Sequence, residues 1–202
     1  MFTGIIEETG VVKAIQPGAK AIRMSLSCAV CAKGAKLGDS LAVNGACLTV
    51  VKIRRQKKST LLDFDLLQET WNRTSFASVQ VGNLVNLERP LAANGRLHGH
   101  FVTGHVDGVG TIKILEQRGA DWLLEVLAPK EIMRSTVMKG SISIDGISLT
   151  VAKVTPKSLA VWIIPHTWAV TVLKERKSGD KVNLEADLLG KYVNQLLDRR
   201  SR

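Results

Sequence analysis

One turn-and-strand motif occurs twice in the chain, and its second copy lies 101 positions after the first. The copies are Asn44-Gly-Ala-Cys-Leu-Thr-Val50 and Asp145-Gly-Ile-Ser-Leu-Thr-Val151. Asn or Asp followed by Gly tolerates positive φ, and the aliphatic and β-branched run behind it favours extended backbone. Each copy therefore predicts a tight turn that leads into a strand.

The correspondence extends over most of the chain. Thr3-Gly4 matches Thr103-Gly104, and Val85-Asn-Leu-Glu88 returns as Val182-Asn-Leu-Glu185. The offset changes only from 100 to 101 to 97, as small loop insertions and deletions would produce. A repeat of about 95 residues is as long as a small domain, so the sequence predicts a tandem duplication with two cores.

Each unit contains short runs that are typical of strands. Six short strands joined by glycine turns predict a closed barrel, since an open sheet of this size would leave unpaired edges. The second unit repeats the pattern from about Phe101 to Ala186. In the first unit the predicted strands are residues 2–15, 21–27, 40–43, 47–53, 60–67 and 84–88, with short helices or loops at 28–36 and 69–76.

The C-terminal segment has no counterpart in the first unit. Between Leu188 and Leu197 the apolar residues fall at 188, 189, 192, 193, 196 and 197, which predicts an amphipathic helix. Its apolar stripe must be covered either by the chain's own barrels or by copies in other subunits. We favour the second alternative, because a terminal helix attached to two complete barrels is well placed to form a bundle.

The formal net charge of +10 raises the possibility of nucleic-acid binding. The densest basic runs are at 54–58, 174–177 and 199–202, and aromatic residues make up only 4% of the chain. The aromatic residues do not alternate with the basic ones, as they would on a stacking platform for bases. Solvated loops explain the charge better.

The sequence predicts a cytoplasmic protein. No apolar run approaches the roughly 18 residues of a membrane span, and no secretory signal pattern follows Met1. The three cysteines are too few for a disulfide framework, which is consistent with a reducing compartment.

The two units differ most in their histidines, all four of which lie at or beyond position 98. His105 corresponds to Ile5, and Cys47 corresponds to Ser148. Because duplicated units share structural residues, these differences predict two binding sites of similar shape but unequal chemistry.

Several chemical alternatives follow from single residues. Cys28-Ala-Val-Cys31, with His98, His100 and His105, could suggest a metal site, but a structural zinc site usually needs two ligand pairs, and small buried hydrophobic cysteines are favoured. A nucleophilic pair of Cys47 and His105 is conceivable, although no third, orienting residue can be identified. Lys139 could neutralise an anionic ligand. No nucleotide phosphate-binding motif is present.

Four motifs, in this order and inside the duplication, closely resemble the riboflavin synthase alpha chain. They are Met1-Phe-Thr-Gly-Ile5, Asn44 to Val50, Gly99-His-Phe-Val-Thr-Gly-His-Val-Asp-Gly108 and Asp145 to Val151. The resemblance runs from Met1 to about Leu197. It implies an all-β fold of two tandem six-stranded Greek-key barrels, at 1–97 and 98–187, followed by a helical segment at 188–202 that builds a homotrimer.

The resemblance also implies a reaction, the last step of riboflavin biosynthesis. Two molecules of 6,7-dimethyl-8-ribityllumazine exchange a four-carbon unit, which gives riboflavin and 5-amino-6-ribitylamino-uracil without a cofactor or metal. One lumazine is expected in each barrel, and the productive pair forms between the N-terminal barrel of one subunit and the C-terminal barrel of its neighbour. Lumazine synthase is a possible partner, and neither nucleic acid nor a membrane is expected as one.

By the same resemblance, His105, Ser40 and Cys47 are the catalytic candidates, with His105 as the proton-transfer group facing the other two across a subunit interface. The first predicted ligand cradle contains Gly4, Ile5, Ile6, Cys47, Leu48, Thr49, Asp65, Leu66, Leu67, Gln68, Glu69 and Thr70. The second contains Gly104, His105, Val106, Lys139, Ser148, Leu149, Thr150, Trp162, Ile163, Ile164, Pro165, His166 and Thr167.

Two departures from the family pattern are visible. His98 stands where the family usually has glycine, which would alter the turn between the barrels, and Ala46 stands where some members have a second cysteine. The alternative function is that of an antenna-type protein, which binds lumazine or flavin without turnover. A relative of that kind would be expected to lose polar groups at the reacting face, so Ser40, Cys47 and His105 favour the enzyme.

Overall fold

The structure, a computed structural model, describes residues 1–57 and 59–200. Lys58, in the first basic run, and residues 201–202, at the end of the predicted helical segment, lie outside the described residues. No helix in the described part of the chain is long and apolar enough to cross a membrane.

The first repeat unit folds into a closed antiparallel barrel. Its strands are β1 (Glu8–Pro17), β2 (Ala21–Cys28), β3 (Ser40–Val43), β4 (Ala46–Arg55), β5 (Thr60–Leu67) and β6 (Leu84–Glu88). The order around the barrel is β1-β2-β5-β4-β3-β6, so β5 lies between β2 and β4, and β6 closes the barrel between β3 and β1. A short helix, α1 (Gln68–Arg73), and a 3-10 turn at Ser75–Ser78 connect β5 to β6.

The second unit repeats this barrel. Its strands are β7 (Gly108–Arg118), β8 (Asp121–Leu127), β9 (Ser141–Ile144), β10 (Ile147–Val154), β11 (Ser158–Ile163) and β12 (Lys181–Ala186). Helix α2 (Lys130–Arg134) precedes β9, and helix α3 (Pro165–Val170) with a 3-10 turn at Val172–Glu175 follows β11. The circular strand order β10-β11-β8-β7-β12-β9 matches that of the first barrel, which confirms the predicted pair of six-stranded Greek-key barrels.

Each barrel encloses its own apolar core. Inward-facing residues at alternate positions along the strands fill it. Met24 and Phe64 are among the fully buried side chains of the first barrel, and Leu124 and Ile142 are among those of the second. The barrel boundaries at 97 and 187 stay predictions.

One strand begins later than the sequence pattern indicated. The first strand was predicted over residues 2–15, but β1 begins at Glu8. The residues before it cross to the other unit instead, where the Phe2 amide donates to the Val102 carbonyl at 2.7 Å. Phe2 and Val102 are both fully buried at this junction, so burial of the Phe2 ring draws the N-terminal residues away from their own barrel. Of the segment 28–36, predicted as helix or loop, Cys28 is the last residue of β2, and residues 29–34 form bends and turns.

The repeated asparagines of the Val-Asn-Leu-Glu motifs hold the two units together. Asn86 Nδ2 donates to the Asp145 carbonyl at 2.9 Å, and Asn183 Nδ2 donates to the Asn44 carbonyl at 2.8 Å. The side-chain oxygen of each asparagine accepts a backbone amide from the other unit, from Val172 and Ser75 respectively. All of these polar groups are buried, and their mutual satisfaction fixes the junction around a local twofold arrangement.

The C-terminal helix α4 (Leu188–Arg200) is present, as the helical stripe predicted. Its polar edge contacts the second barrel: Asn194 Nδ2 donates to the Arg134 carbonyl and to Ser135 Oγ, and Arg134 pairs with Asp198 at 2.6 Å. Its apolar residues Leu189, Tyr192, Val193 and Leu196 are each more than half exposed. In the described chain, α4 therefore uses its polar side for its own barrel.

Candidate functional site

The two repeated Thr-Val strands present matched outer faces. Side chains alternate along β4, so Leu48 fills the core while Cys47 and Thr49 face outwards. In β10, Ser148 and Thr150 occupy the same outward positions. Leu48 and Leu149 were predicted as ligand contacts, but their side chains are buried in the barrels, so only their backbones could reach a ligand. Leu66 and Ile163 are buried in the same way.

A segment from the opposite unit lies across each of these faces. The Ser148 amide donates to the Gly4 carbonyl at 2.8 Å, and the Cys47 amide donates to the Gly104 carbonyl at 2.8 Å. Both glycines have positive φ, +78° and +80°. A Cβ at Gly4 would lie 2.6 Å from the Ser148 Cβ, and one at Gly104 would lie 2.6 Å from the Cys47 Cβ. Only glycine allows so close an approach in this conformation.

Two buried glutamates hold the crossing segments in place. Glu88 accepts the amides of Thr3 and Gly4 at 2.6 and 3.0 Å, and Glu185 accepts those of Thr103 and Gly104 at 2.7 and 3.0 Å. Burial raises the pKa of Glu88, and its hydrogen bonds with Thr3 and Gly4 oppose that shift. Sequence reasoning gave these glutamates no role, although their identical Val-Asn-Leu-Glu motifs were the available signal.

Each crossing segment contacts the barrel opposite to the one with which the predicted ligand cradles grouped it. Gly4 to Ile6 was grouped with Cys47, yet Gly4 contacts Ser148 and Ile6 packs against the second core. Gly104 to Val106 was grouped with Ser148, yet Gly104 contacts Cys47 and Val106 packs against the first core. The repeat places each segment beside its own unit along the sequence, whereas the buried junction sends it to the other barrel.

Cys47 and His105 line one cavity of about 700 Å³. Residues of α1 complete its wall, among them Glu69, Thr70 and Arg73. The volume falls in the usual range for small-molecule sites. His105 was predicted to face Cys47 across a subunit interface, but within this chain the two residues already share a cavity, because the Gly104 segment crosses to the first barrel.

Ser40 lies outside this cavity. It is paired with Thr49 in the β3–β4 register and lines a separate cavity of about 360 Å³ with Cys31, Val50 and Pro90. The structure thus brings together two of the three predicted catalytic residues, and a catalytic role for Ser40 stays a prediction.

The two outer faces differ in polarity. In the first barrel Arg23 and Asp65 form a bidentate ion pair at 2.7 and 2.8 Å, and the hydrogen bonds from Arg23 lower the pKa of Asp65. At the matching cross-strand pair of the second barrel stand Leu123 and Trp162, so an apolar surface replaces the ion pair. The structure therefore supports the prediction of unequal sites at the level of surface chemistry.

The remaining predicted residues of the second cradle lie on the β9 approach, on β11 and on α3. Lys139 is exposed and adopts φ +65°, where its counterpart is Gly38, so a lysine is retained in a conformation that normally favours glycine. Trp168 of α3 stacks on Trp122 with ring centroids 3.6 Å apart, which fixes the helix against the barrel. At the end of β11 and the start of α3, which form the rim of the second barrel, Thr167 is half-buried. The exposed predicted residues there are Trp162, Ile164, Pro165 and His166.

At the matching rim of the first barrel, where β5 leads into α1, Leu67, Gln68 and Glu69 are exposed and Thr70 is half-buried. Ile5, the counterpart of His105, is exposed. Glu69 pairs with Arg73 at 2.9 Å, and both side chains are largely exposed at the cavity wall.

The cysteines of the CxxC motif are buried, and burial raises the pKa of Cys28 to about 12 and raises that of Cys31 as well. Such thiols are poor nucleophiles and poor metal ligands. Among residues 1–57 and 59–200, no group of three or more His, Cys, Asp or Glu side chains is arranged to hold a metal ion.

His100 is a polar contact of this region that sequence reasoning missed. Its Nδ1 lies 2.7 Å from the Ser148 Oγ, and burial lowers its pKa, an effect that the charge of Asp187 partly opposes. The sequence showed the histidine but gave no signal of its partner, which is 48 positions away.

Comparison with known proteins gives this arrangement a family context. The Lumazine binding domain family matches residues 3–90 and 103–187, one match for each barrel. Riboflavin synthase from Bacillus subtilis (strain 168) is 39% identical over 98% of this chain and 91% of its own length. The enzyme from Actinobacillus pleuropneumoniae is 43% identical over 98% of this chain and 90% of its own.

Solved structures of a second protein, LumP, have the same fold as this chain. LumP complexed with riboflavin superimposes with a TM-score of 0.83 at 26% identity, covering 92% of this chain and 99% of that one. LumP complexed with 6,7-dimethyl-8-(1'-D-ribityl) lumazine gives a TM-score of 0.80 at 25% identity, with the same coverage. The fold and the site thus define a protein with two lumazine binding domains. Within that class, the chain belongs to the riboflavin synthase family.

Proposed function

We infer that this protein is a riboflavin synthase, a cofactor-independent transferase. It converts two molecules of 6,7-dimethyl-8-ribityllumazine into riboflavin and 5-amino-6-ribitylamino-uracil, the final step of riboflavin biosynthesis. The observation that carries this conclusion is the identity of 39–43% to riboflavin synthases over 98% of the chain. No oxidant or reductant is required, because one lumazine gains the four carbons that the other loses.

The two reacting lumazines need different help from the protein. The acceptor must lose a proton from its C7 methyl group, and the donor must accept a nucleophile before it gives up its four carbons. We assign proton transfer to His105, because histidine is the side chain that most often serves as general acid or base, and the nucleophile to Cys47. Their shared cavity supports this assignment. Holding the two ring systems face to face supplies much of the acceleration through proximity and orientation.

The assay for this function uses the purified protein, the lumazine and a chelator, and it follows flavin formation. We expect one riboflavin for every two lumazines consumed, with turnover lowered by about 100-fold or more in His105→Ala, since general acid–base groups contribute on that order. The matched control is His98→Ala, because His98 is also an exposed histidine but lies outside the cavity with Cys47. Equal turnover by the two variants would refute the role of His105.

The same assay distinguishes the second candidate function, binding of a lumazine or flavin without turnover. The likeness to LumP in complex with lumazine and with riboflavin favours this candidate as the runner-up. Binding of unchanged lumazine would support it, whereas neither binding nor turnover would refute both functions.

We further propose that three copies assemble through α4. The exposed apolar residues Leu189, Tyr192, Val193 and Leu196 support this, since the polar edge of the helix is used by the chain's own barrel. Leu196→Lys should give a monomer in light scattering and should lower turnover, because the productive pair spans two subunits. The control Gln195→Lys changes an exposed polar residue of the same helix and should remain trimeric. A trimer of Leu196→Lys would contradict the proposal.

A cytoplasmic location and an association with lumazine synthase belong to the same proposal. The three free thiols support a reducing compartment. Cell fractionation tests the location, and co-sedimentation with purified lumazine synthase tests the association.

A further inference from the structure

The linker between the barrels passes directly behind Ser148. At Gly99 an added Cβ would lie 2.0 Å from the Thr3 carbonyl oxygen and 2.9 Å from the Ser148 Cβ, so only glycine fits. The next residue, His100, is 8% exposed, and its amide donates to the Thr3 carbonyl at 3.2 Å. The backbone thus fixes the imidazole beside the serine hydroxyl, and the 2.7 Å contact between Nδ1 and Oγ follows.

The outer face of β4 around Cys47 forms one half-site, and the outer face of β10 around Ser148 forms the other. The contact with His100 exists only in the second half-site. Ser148 corresponds to Cys47, and both stand under a crossing glycine segment with the same backbone hydrogen bond. Within residues 1–57 and 59–200, however, the Cys47 thiol has no side-chain partner comparable to His100. The second half-site therefore carries a hydroxyl with a buried histidine behind it, where the first carries an unsupported thiol.

Nδ1 provides the only side-chain hydrogen bond of this imidazole among the described residues, since Nε2 is buried without a partner there. If Nδ1 accepts the serine hydrogen, the Oγ lone pairs point away from the histidine. If Nδ1 donates, the serine hydrogen is free for another acceptor. In both tautomers the contact holds the Oγ atom in place. It then offers a ligand its lone pairs when Nδ1 accepts, and its hydrogen when Nδ1 donates.

We propose that His100 is a positioning residue of the second half-site, which fixes the Ser148 hydroxyl for a hydrogen bond to the polar ring atoms of the lumazine bound there. This proposal rests on the proposed function. His100 touches no substrate itself and acts only through Ser148. It gives the second half-site a fixed hydroxyl where the first has the Cys47 thiol.

Two amide variants of His100 test the geometry, because both carry a carboxamide but at different distances from the backbone. The asparagine amide of His100→Asn lies near the position of Nδ1 and can still meet Ser148, while the glutamine amide of His100→Gln lies near the position of Nε2. We expect kcat of His100→Asn to stay within about threefold of the wild type and that of His100→Gln to fall about tenfold, as the loss of one oriented hydrogen bond would produce. KM should change less than kcat in both variants.

A double-mutant cycle with Ser148→Ala shows whether His100 acts through the serine. In the Ser148→Ala background, His100→Gln should cause no further loss of kcat. Melting temperatures of all variants, measured in parallel, report any purely structural effect. Equal losses in His100→Asn and His100→Gln, or an undiminished tenfold loss in the Ser148→Ala background, would overturn the positioning role.

The outcome for the wild type separates this proposal from the proposed function. Turnover by the wild type supports the proposed function whatever the variants show. If the wild type binds lumazine without turnover, the proposed function fails, and the same cycle is then measured in the dissociation constant of 6,7-dimethyl-8-ribityllumazine. Non-additive affinities would support the role of His100, and additive ones would refute it.

Discussion

A buried ion pair of the second unit, beside the junction, offers a sharp test of how buried charge contributes to stability. The Asp145 side chain is 0% exposed and pairs with Arg176 at 2.7 Å, while its other oxygen accepts the Asn183 amide at 2.8 Å. The first unit has no ion pair at the matching positions. There Asn44 accepts the Asn86 amide at 2.7 Å, and Val79 stands at the position of Arg176.

We expect Asp145→Asn to lower the free energy of unfolding by about 3 kcal/mol. The asparagine keeps an acceptor for the Asn183 amide, but it removes the carboxylate that pairs with the guanidinium of Arg176, whose side chain is only 18% exposed. The charges of Asp180 and Glu175 act on Arg176 more weakly. Removing one partner of a buried pair costs roughly 3–5 kcal/mol, and the residual exposure of Arg176 favours the lower end. In a chain of this size the melting temperature should fall by about 6–12 °C.

Asp145→Asn combined with Arg176→Val recreates the arrangement of the first unit and should recover all but about 1 kcal/mol, since no unpaired charge remains buried. Thermal unfolding followed by circular dichroism at one protein concentration measures both variants. Glu116→Gln is the control, because it breaks an exposed ion pair and should cost less than about 1 kcal/mol. A double variant as unstable as Asp145→Asn alone would refute the reasoning.

Three further predictions concern the crossing segments and the linker. Gly104→Ala should cost at least about 2 kcal/mol and abolish turnover, because its Cβ would collide with Cys47; Gly34→Ala has a similar φ of +75° but open space and should keep its activity. Glu185→Gln should lower the free energy of unfolding by about 1.5–3 kcal/mol, measured by denaturant titration, because it weakens charge-assisted hydrogen bonds. Burial lowers the pKa of His100 in the folded chain, so the unfolded chain binds more protons below about pH 6.5, and stability should fall as the pH drops from there. Melting curves between about pH 5 and 8 should show this loss in the wild type and a smaller one in His100→Asn.

The sequence was sufficient for the barrels because a repeat and a two-residue alternation are local signals. Asx-Gly turns at Asn44 and Asp145 and the runs behind them specify strands whatever the rest of the chain does, and both residues indeed have positive φ. The ligand cradles carried over from the family resemblance grouped the Gly4 and Gly104 segments with their own units, whereas each segment contacts the other unit. Their partners are decided by a buried junction of Phe2 and Val102, which no periodicity reveals.

The contact between His100 and Ser148 could not be predicted from the sequence, for a related reason. A histidine in a linker carries no pattern, and its contact with Ser148 depends on the path of the backbone past Gly99. The helix α4 shows the opposite case, since its apolar stripe was visible in sequence, yet only the structure shows which side its own barrel uses. Local periodicity therefore predicts elements, whereas contacts between elements need the fold.

The distribution of differences between the units explains how one duplicated fold can treat two identical lumazines differently. The groups that position backbone are repeated unchanged, with Asn86 and Glu88 returning as Asn183 and Glu185 in the same hydrogen bonds. Because both crossing segments are held alike, both sites offer a ligand similar backbone contacts. The side chains predicted to face the ligand differ instead, with thiol against hydroxyl at Cys47 and Ser148 and imidazole against alkyl at His105 and Ile5. Under the proposed function, we propose that these few substitutions on a repeated frame distinguish the donor site from the acceptor site.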